Sequence, residues 1–217
     1  MGDEVKLPAS PMAGMREDEL DPRRALWSAR ALRIGYAWVA IFVLGVAAST
    51  IFFFSLMGPL WTAPDPELLA MIATFPGPNL LLGLLAFQIA SRSGRIGRLA
   101  AIVARPAGVL LAAGYAYVLV DTWGDVIPVA FGACGVVACA LLIVIPARHG
   151  SPVVKHATAA ATVASAGPPG SLCATLLPFS YVPDLWEGML TVVACLLPLV
   201  GCIALLWLIY TEPGGEA

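Results

Sequence analysis

Acidic residues stand beside tryptophan at three places in the sequence, and a carboxylic acid next to an aromatic ring can do chemistry. The acid can protonate an alkene or an epoxide, and the ring faces can stabilise the cation that results. Carboxylates gathered around such rings could alternatively bind a cation or a divalent metal through oxygen ligands. The three groups are Trp61 with Asp65 and Glu67, Asp121 with Trp123 and Asp125, and Asp184 with Trp186 and Glu187.

These acids support one functional hypothesis, an enzyme that acts on an isoprenoid or another lipid. The chemistry would be acid-initiated, like that of membrane-embedded terpene cyclases, although the sequence has none of that family's motifs. In a simpler interpretation, the tryptophans anchor helices at the level of lipid headgroups and the acids cap helix starts. The candidate catalytic residues are Asp121, Asp125, Asp184 and Glu187, with Trp123 and Trp186 lining the substrate site.

Two stretches rich in proline and glycine indicate a different kind of site. Proline lacks an amide donor and clashes with the preceding turn, so residues 75–79 (FPGPN) and 167–170 (GPPG) should kink or interrupt their helices. In lipid the freed backbone groups need protein or water partners, and interrupted helices form the solute sites of many transporters. Amides after Pro78 and Pro169 would then face a solute. The polar side chains beside them are Thr74, Asn79, Ser171 and Thr175.

The elements that must position these residues are predicted to be transmembrane helices. Of 217 residues, 59% are hydrophobic and 12% are charged, and the mean hydropathy is +0.87. This composition excludes a soluble globular enzyme, a disordered protein and a disulfide-rich secreted domain. A helix needs about 20 apolar residues to cross the hydrocarbon core. Six stretches qualify: 34–60, 68–90, 99–120, 126–145, 157–181 and 189–210. If the fifth stretch lies on the membrane surface, five spans remain.

The basic residues predict the orientation of this all-α, polytopic helix bundle. Every lysine and arginine falls on one side of the map, so the positive-inside rule places both termini in the cytoplasm, and we expect a multi-pass protein of the plasma membrane. Arg105 lies inside the third stretch, close enough to its cytoplasmic end to snorkel. Together with Arg92, Arg95 and Arg98 it is expected to set the topology and to hold anionic lipid headgroups.

The order of the stretches also suggests an internal repeat. A division near Trp123 gives two halves of three stretches in opposite orientations, with the interrupted helix in the middle of each. That arrangement is typical of 3+3 inverted-repeat transporters. The expected domains are a disordered cytoplasmic tail (1–25), the six-helix domain (26–211) and a short cytoplasmic tail (212–217).

The stretches carry no Asp or Glu well inside a helix, which argues against ion-coupled transport. The leading hypothesis is therefore an uncoupled transporter or facilitator of a small or apolar solute. The alternatives are the lipid enzyme above and a non-catalytic subunit of a membrane complex. We expect membrane lipids as partners, a homo-oligomer or a larger complex as possible assemblies, and no nucleic acid. No cofactor or metal is expected, since His149 and His156 have no third ligand nearby.

Overall fold

The chain is all-helical throughout the part that the computed structural model describes. The backbone is described for residues 22–57, 72–73, 76–90, 95–121, 126–144, 152–176 and 185–213. Side chains are described for 22–51, 72–73, 76–90, 102–121, 129–130, 132–144, 152–166 and 196–213. The helices are α1 (Pro22–Met57), α2 (Gly77–Ala90), α3 (Arg95–Asp121), α4 (Val126–Val144), α5 (Pro152–Leu176) and α6 (Leu185–Tyr210).

The helices overlap the six apolar stretches of the sequence, but they differ in length. Within the residues whose side chains are described, two segments are long and apolar enough to cross a membrane by length and composition, Pro22–Ile51 and Ile102–Asp121. Gly77–Ala90, Gly132–Val144 and Leu196–Tyr210 are shorter apolar segments. The short helix α2 has 14 residues, which at 1.5 Å per residue is about 21 Å.

Helix α2 lies at the centre of the bundle. All its residues except Leu80 are buried, and it packs against each of the other five helices. Its sequence is apolar all round and has no polar face, which is typical of a helix enclosed on every side. Around it, α3, α4, α5, α6 and α1 follow one another, each packed on the next.

Helix α1 runs antiparallel to α2, as close contacts at the two ends of α2 show. Gly35 of α1 lies against Phe87 near the end of α2, whereas Gly45 lies against Pro76 just before α2 begins. At the other side of α1, the Trp27 indole N–H donates to the carbonyl of Leu208 in the last turn of α6 (2.9 Å). The start of α1 therefore lies beside the ends of α2 and α6.

The described surface carries many large apolar side chains, while the mostly apolar interior also holds a few polar ones. Polar side chains are buried inside the bundle, among them Asn79, Gln88 and a group on α5. Large apolar side chains on the five outer helices are more than two-thirds exposed: Leu44, Leu110, Val144, Val153 and Ile203, although Val144 is also the last residue of α4.

The predicted break at residues 167–170 is wrong. Helix α5 runs without interruption from Pro152 to Leu176 and contains this stretch. A proline has the φ that a helix requires, so its cost is one lost hydrogen bond and a clash with the preceding turn. Gly167 also lacks the Cβ that normally disfavours helical conformation before a proline. The two middle helices of the proposed halves consequently differ, and the interruption is not repeated in the second half.

Glycines allow the close approach of the helices, as small residues do in membrane bundles. A Cβ on Gly201 would lie 2.6 Å from the Trp38 ring, and one on Gly35 would lie 2.6 Å from the Phe87 ring. Gly135 of α4 packs directly against the ring of Tyr115, so that a Cβ there would overlap ring atoms. Tyr115 is fully buried, and its ring has no open space into which it could move.

Two glycine-to-alanine substitutions at the α3–α4 contact should therefore have different effects. Gly135→Ala forces its methyl group into a buried ring, and we expect it to lower the free energy of unfolding by about 1–3 kcal/mol. In Gly108→Ala the new methyl group would meet the end of the flexible Leu142 side chain at 3.2 Å, and we expect a much smaller change. Thermal unfolding of both variants in mild detergent measures the difference, and equal stability of the two would contradict this packing.

Candidate functional site

The candidate site begins where the chain enters α2. The Pro76 carbonyl accepts hydrogen bonds from the amides of Asn79 (3.0 Å) and Leu80 (3.3 Å), which is how a helix starts. Pro78 lies in the first turn, where its missing N–H removes no helical hydrogen bond. Ile72 and Ala73 are themselves helical, and Pro76 lies in a turn before α2. The sequence 76–78 therefore starts a new helix in the middle of the second apolar stretch, in agreement with the break predicted there.

The Asn79 side chain is the main polar feature of this turn. It is only 5% exposed, and its Oδ1 has no hydrogen-bond partner among the described residues. A buried amide oxygen without a partner costs about 1–3 kcal/mol relative to a bonded one. Such a group is rare in native proteins and indicates either strain or a place for a ligand or water.

Tyr115 of α3 brings a second polar group to the same turn. A Cβ on Gly77 would lie 3.0 Å from the Tyr115 hydroxyl oxygen and 3.3 Å from the carbonyl oxygen of Ile72. Glycine at 77 thus lets the backbone of α2 approach both groups. The first turn of α2 is surrounded by hydrogen-bonding groups that carry no charge.

Helix α5 adds a line of buried hydroxyl groups. Thr158, Thr162 and Ser165 are each at most 1% exposed, and their spacing of four and three residues places them on one face of the helix. Each hydroxyl donates to the carbonyl four residues earlier, at 2.7, 2.8 and 2.7 Å. The three hydroxyl protons are thus used on the helix itself, which is how buried Ser and Thr side chains are commonly satisfied in helices.

The opposite end of α2 is held by hydrogen bonds. Gln88 Nε2 donates to the carbonyl of Leu142 (3.3 Å), which lies in the last turn of α4. The Ser28 hydroxyl donates to the carbonyl of Ala90, the last residue of α2 (3.4 Å). These bonds satisfy carbonyl groups at helix ends that have no partner within the helix.

The structure describes the predicted solute-site and enzyme-site residues to different degrees. Asn79 lies in the first turn of α2 and is buried, and Asp121 is exposed at the end of α3. Four others are described in backbone position only: Ser171 and Thr175 in α5, and Trp186 and Glu187 at the start of α6. Thr74, Trp123, Asp125 and Asp184 lie outside the described residues. The convergence of the acids into one pocket stays a prediction.

Sequence reasoning missed the other polar groups of the interior. The sequence contains a signal for Gln88 and for the hydroxyl residues of α5. Gln88 interrupts an otherwise apolar run, and the spacing of Thr158, Thr162 and Ser165 places them on one helix face. Tyr115 has no such signal, because a tyrosine in an apolar stretch is common at a membrane surface.

Neither a metal site nor a relative identifies the chain. Within the described segments, no group of three His, Cys, Asp or Glu residues could hold a metal ion. No protein family, no curated protein and no solved structure matches this sequence.

The Asn79 oxygen, which has no partner among the described residues, predicts how substitution of Asn79 changes the melting temperature. Leucine has a similar shape and no polar atom, so Asn79→Leu should leave the melting temperature unchanged or raise it. The matched control is Gln88→Leu on the same helix, which leaves the Leu142 carbonyl without this donor and should cost about 1–3 kcal/mol. Thermal unfolding of the two variants is the measurement, and marked destabilisation by Asn79→Leu would show that the Asn79 amide is satisfied.

Proposed function

We propose that this chain is a multi-pass membrane protein of six helices that facilitates the downhill passage of a small, uncharged, hydrogen-bonding solute. The observation that carries the proposal is the buried Oδ1 of Asn79, which has no hydrogen-bond partner among the described residues. It lies at a helix start inside a bundle that exposes many apolar side chains. The proposal has three supports: the surface, the distribution of charge and the depth of the site.

The exposed surface supports a lipid environment. Large apolar side chains are exposed on α1, α3, α4, α5 and α6. In water these side chains would form an extensive exposed apolar surface, which monomeric soluble proteins rarely have. Several buried polar side chains donate to backbone carbonyl groups, among them Gln88, Thr162 and Ser165, as lipid surroundings require. Hydrocarbon chains are the surroundings that fit this arrangement.

The charge distribution supports the predicted orientation. Contacts between helix ends place the start of α1 beside the ends of α2 and α6, and Lys155 of α5 lies over the ring of Tyr210 (5.4 Å). On the six-span map, all twelve basic and eight of the fourteen acidic residues lie at this end, a formal charge of +4, and the other six acids give −6 at the opposite end. The positive-inside rule makes the first end cytoplasmic in a plasma membrane.

The depth of Asn79 supports a solute site within the membrane. Asn79 is eleven residues from Ala90 at the cytoplasmic end, which is about 17 Å along the helix. A hydrocarbon core is about 30 Å thick, so the start of α2 lies near its middle. Interrupted helices at this depth supply backbone and side-chain groups to solutes in many transporters.

The chemistry of the site determines the class of solute. The Asn79 Oδ1 atom is a hydrogen-bond acceptor, and no charged side chain lies beside Asn79 on α2. The site therefore fits a small neutral molecule that donates hydrogen bonds. The stretches have no Asp or Glu well inside a helix, which argues against coupling of passage to an ion gradient.

Single-cysteine labelling tests the orientation. In a background without the native cysteines, Arg30→Cys and Glu212→Cys should react with an impermeant maleimide only in inside-out vesicles. Asp121→Cys should react only in right-side-out vesicles, because α3 ends at the opposite face. Labelling of Asp121→Cys and Arg30→Cys from the same side would contradict the topology, and the solute proposal would then fall with it.

Solute flux tests the function. Reconstituted vesicles should shrink and re-swell with urea or glycerol several-fold faster than protein-free vesicles in stopped-flow light scattering. Asn79→Leu should remove most of this increase while its stability is kept, because the acceptor is lost without loss of packing. Ser28→Ala is the matched control, a buried polar residue outside the site, and should retain the flux. Wild-type protein no faster than empty vesicles, or Asn79→Leu at full rate, would refute the proposal.

A further inference from the structure

Three basic residues mark the point at which α1, α3 and α5 become apolar. Arg33, Arg105 and Lys155 are each the last residue with a full charge before a long stretch without Asp, Glu, Lys or Arg. The uncharged stretches are residues 34–57 in α1, 106–120 in α3 and 156–176 in α5. One basic residue thus precedes the uncharged part of each of three alternate helices, α1, α3 and α5.

The three residues lie at the same end of the bundle. The start of α1 contacts the ends of α2 and α6, and Lys155 contacts Tyr210 in α6. Gly108, three residues after Arg105, packs against Leu142 near the end of α4, and Leu142 in turn accepts a hydrogen bond from Gln88 near the end of α2. We call Arg33, Arg105 and Lys155 the basic band.

Exposed aromatic rings accompany the basic band. Tyr36, Trp207 and Tyr210 are each more than half exposed, and the Lys155 ammonium lies over the face of Tyr210. Tyrosine and tryptophan concentrate where hydrocarbon meets headgroups. Cations and aromatic rings at one level are therefore expected at the headgroup plane.

The side chains of the band can reach phosphate groups at that plane. Arg33 and Arg105 are exposed, and Arg105 lies within the apolar segment Ile102–Asp121, so its guanidinium must extend towards the headgroups to leave the hydrocarbon. A guanidinium can bind two phosphate oxygens at once.

We propose that the basic band binds the phosphate groups of anionic phospholipids in the cytoplasmic leaflet. The lipid chains would lie against the exposed apolar faces of α1, α3 and α5, and a headgroup would lie at each basic residue, where the uncharged part of its helix begins. On the six-span map the acidic residues of both termini, such as Asp21 and Glu212, fall at the same end as the band and would compete with phosphate for its cations. The binding is therefore a property of the whole chain and is tested on it.

Thermal unfolding in neutral detergent tests the proposal. Phosphatidylglycerol should raise the melting temperature more than phosphatidylcholine does, whereas inorganic phosphate and glycerol 3-phosphate should have no comparable effect. The variant R33Q/R105Q/K155Q should lose at least half of the difference between the two lipids. The variant R33K/R105K/K155R keeps the charges and should keep most of the difference in melting temperature between the two lipids. Asp121→Asn, at the opposite end, should leave that difference unchanged.

Native mass spectrometry provides a second readout that does not require equal stability. We expect retained phosphatidylglycerol adducts on the wild type and at least two-fold fewer on each of Arg33→Gln, Arg105→Gln and Lys155→Gln. No lipid preference in the wild type, an unchanged preference in the neutral variant, or the same effect from soluble phosphate would overturn the proposal. The flux experiment uses another site, so failure here leaves the proposed function standing.

Discussion

The structure depends on the enclosure of α2, a helix that has no polar face. A helix that is apolar on all sides must be surrounded, and in this chain five helices surround one. The enclosure is possible because small residues let the outer helices approach: Gly35 meets Phe87, and Gly201 meets both Trp38 and Leu82. The same close packing leaves each buried polar group dependent on its immediate neighbours, since water cannot reach it.

The two ends of α2 differ in how they are joined to the rest of the bundle. At its C-terminal end, Ser28 and Gln88 donate hydrogen bonds that join α2 to α1 and α4. At its N-terminal end, the helix starts on two backbone bonds to Pro76, and Asn79 keeps an oxygen without a partner among the described residues. Side-chain bonds to other helices hold the first end, whereas the start of α2 has backbone bonds to its own turn.

The sequence predicted the helices better than their interior. Apolar length predicted the position of all six, and the helix start near Pro78 followed from the backbone chemistry of proline. The continuity of α5 through 167–170 did not follow, because the cost of a proline depends on the residue before it and on the packing that supports the helix. The inward direction of Thr158, Thr162 and Ser165 is set by tertiary packing. A hydroxyl bonded to its own helix is equally compatible with a lipid-facing position, so the spacing alone did not decide between them.

The absence of charge on α2 around Asn79 has a consequence for selectivity. An ion that enters a low-dielectric interior loses hydration worth many kcal/mol, and a neutral amide cannot replace it alone. A neutral solute loses only a few hydrogen bonds, and the proposed site would return one of them at Asn79. Under the proposed function, an apolar enclosure of this kind would select neutral hydrogen-bond donors over ions. The low dielectric that makes a buried amide oxygen without a partner costly also makes a donor beside it favourable, because the bond formed there has no competition from water.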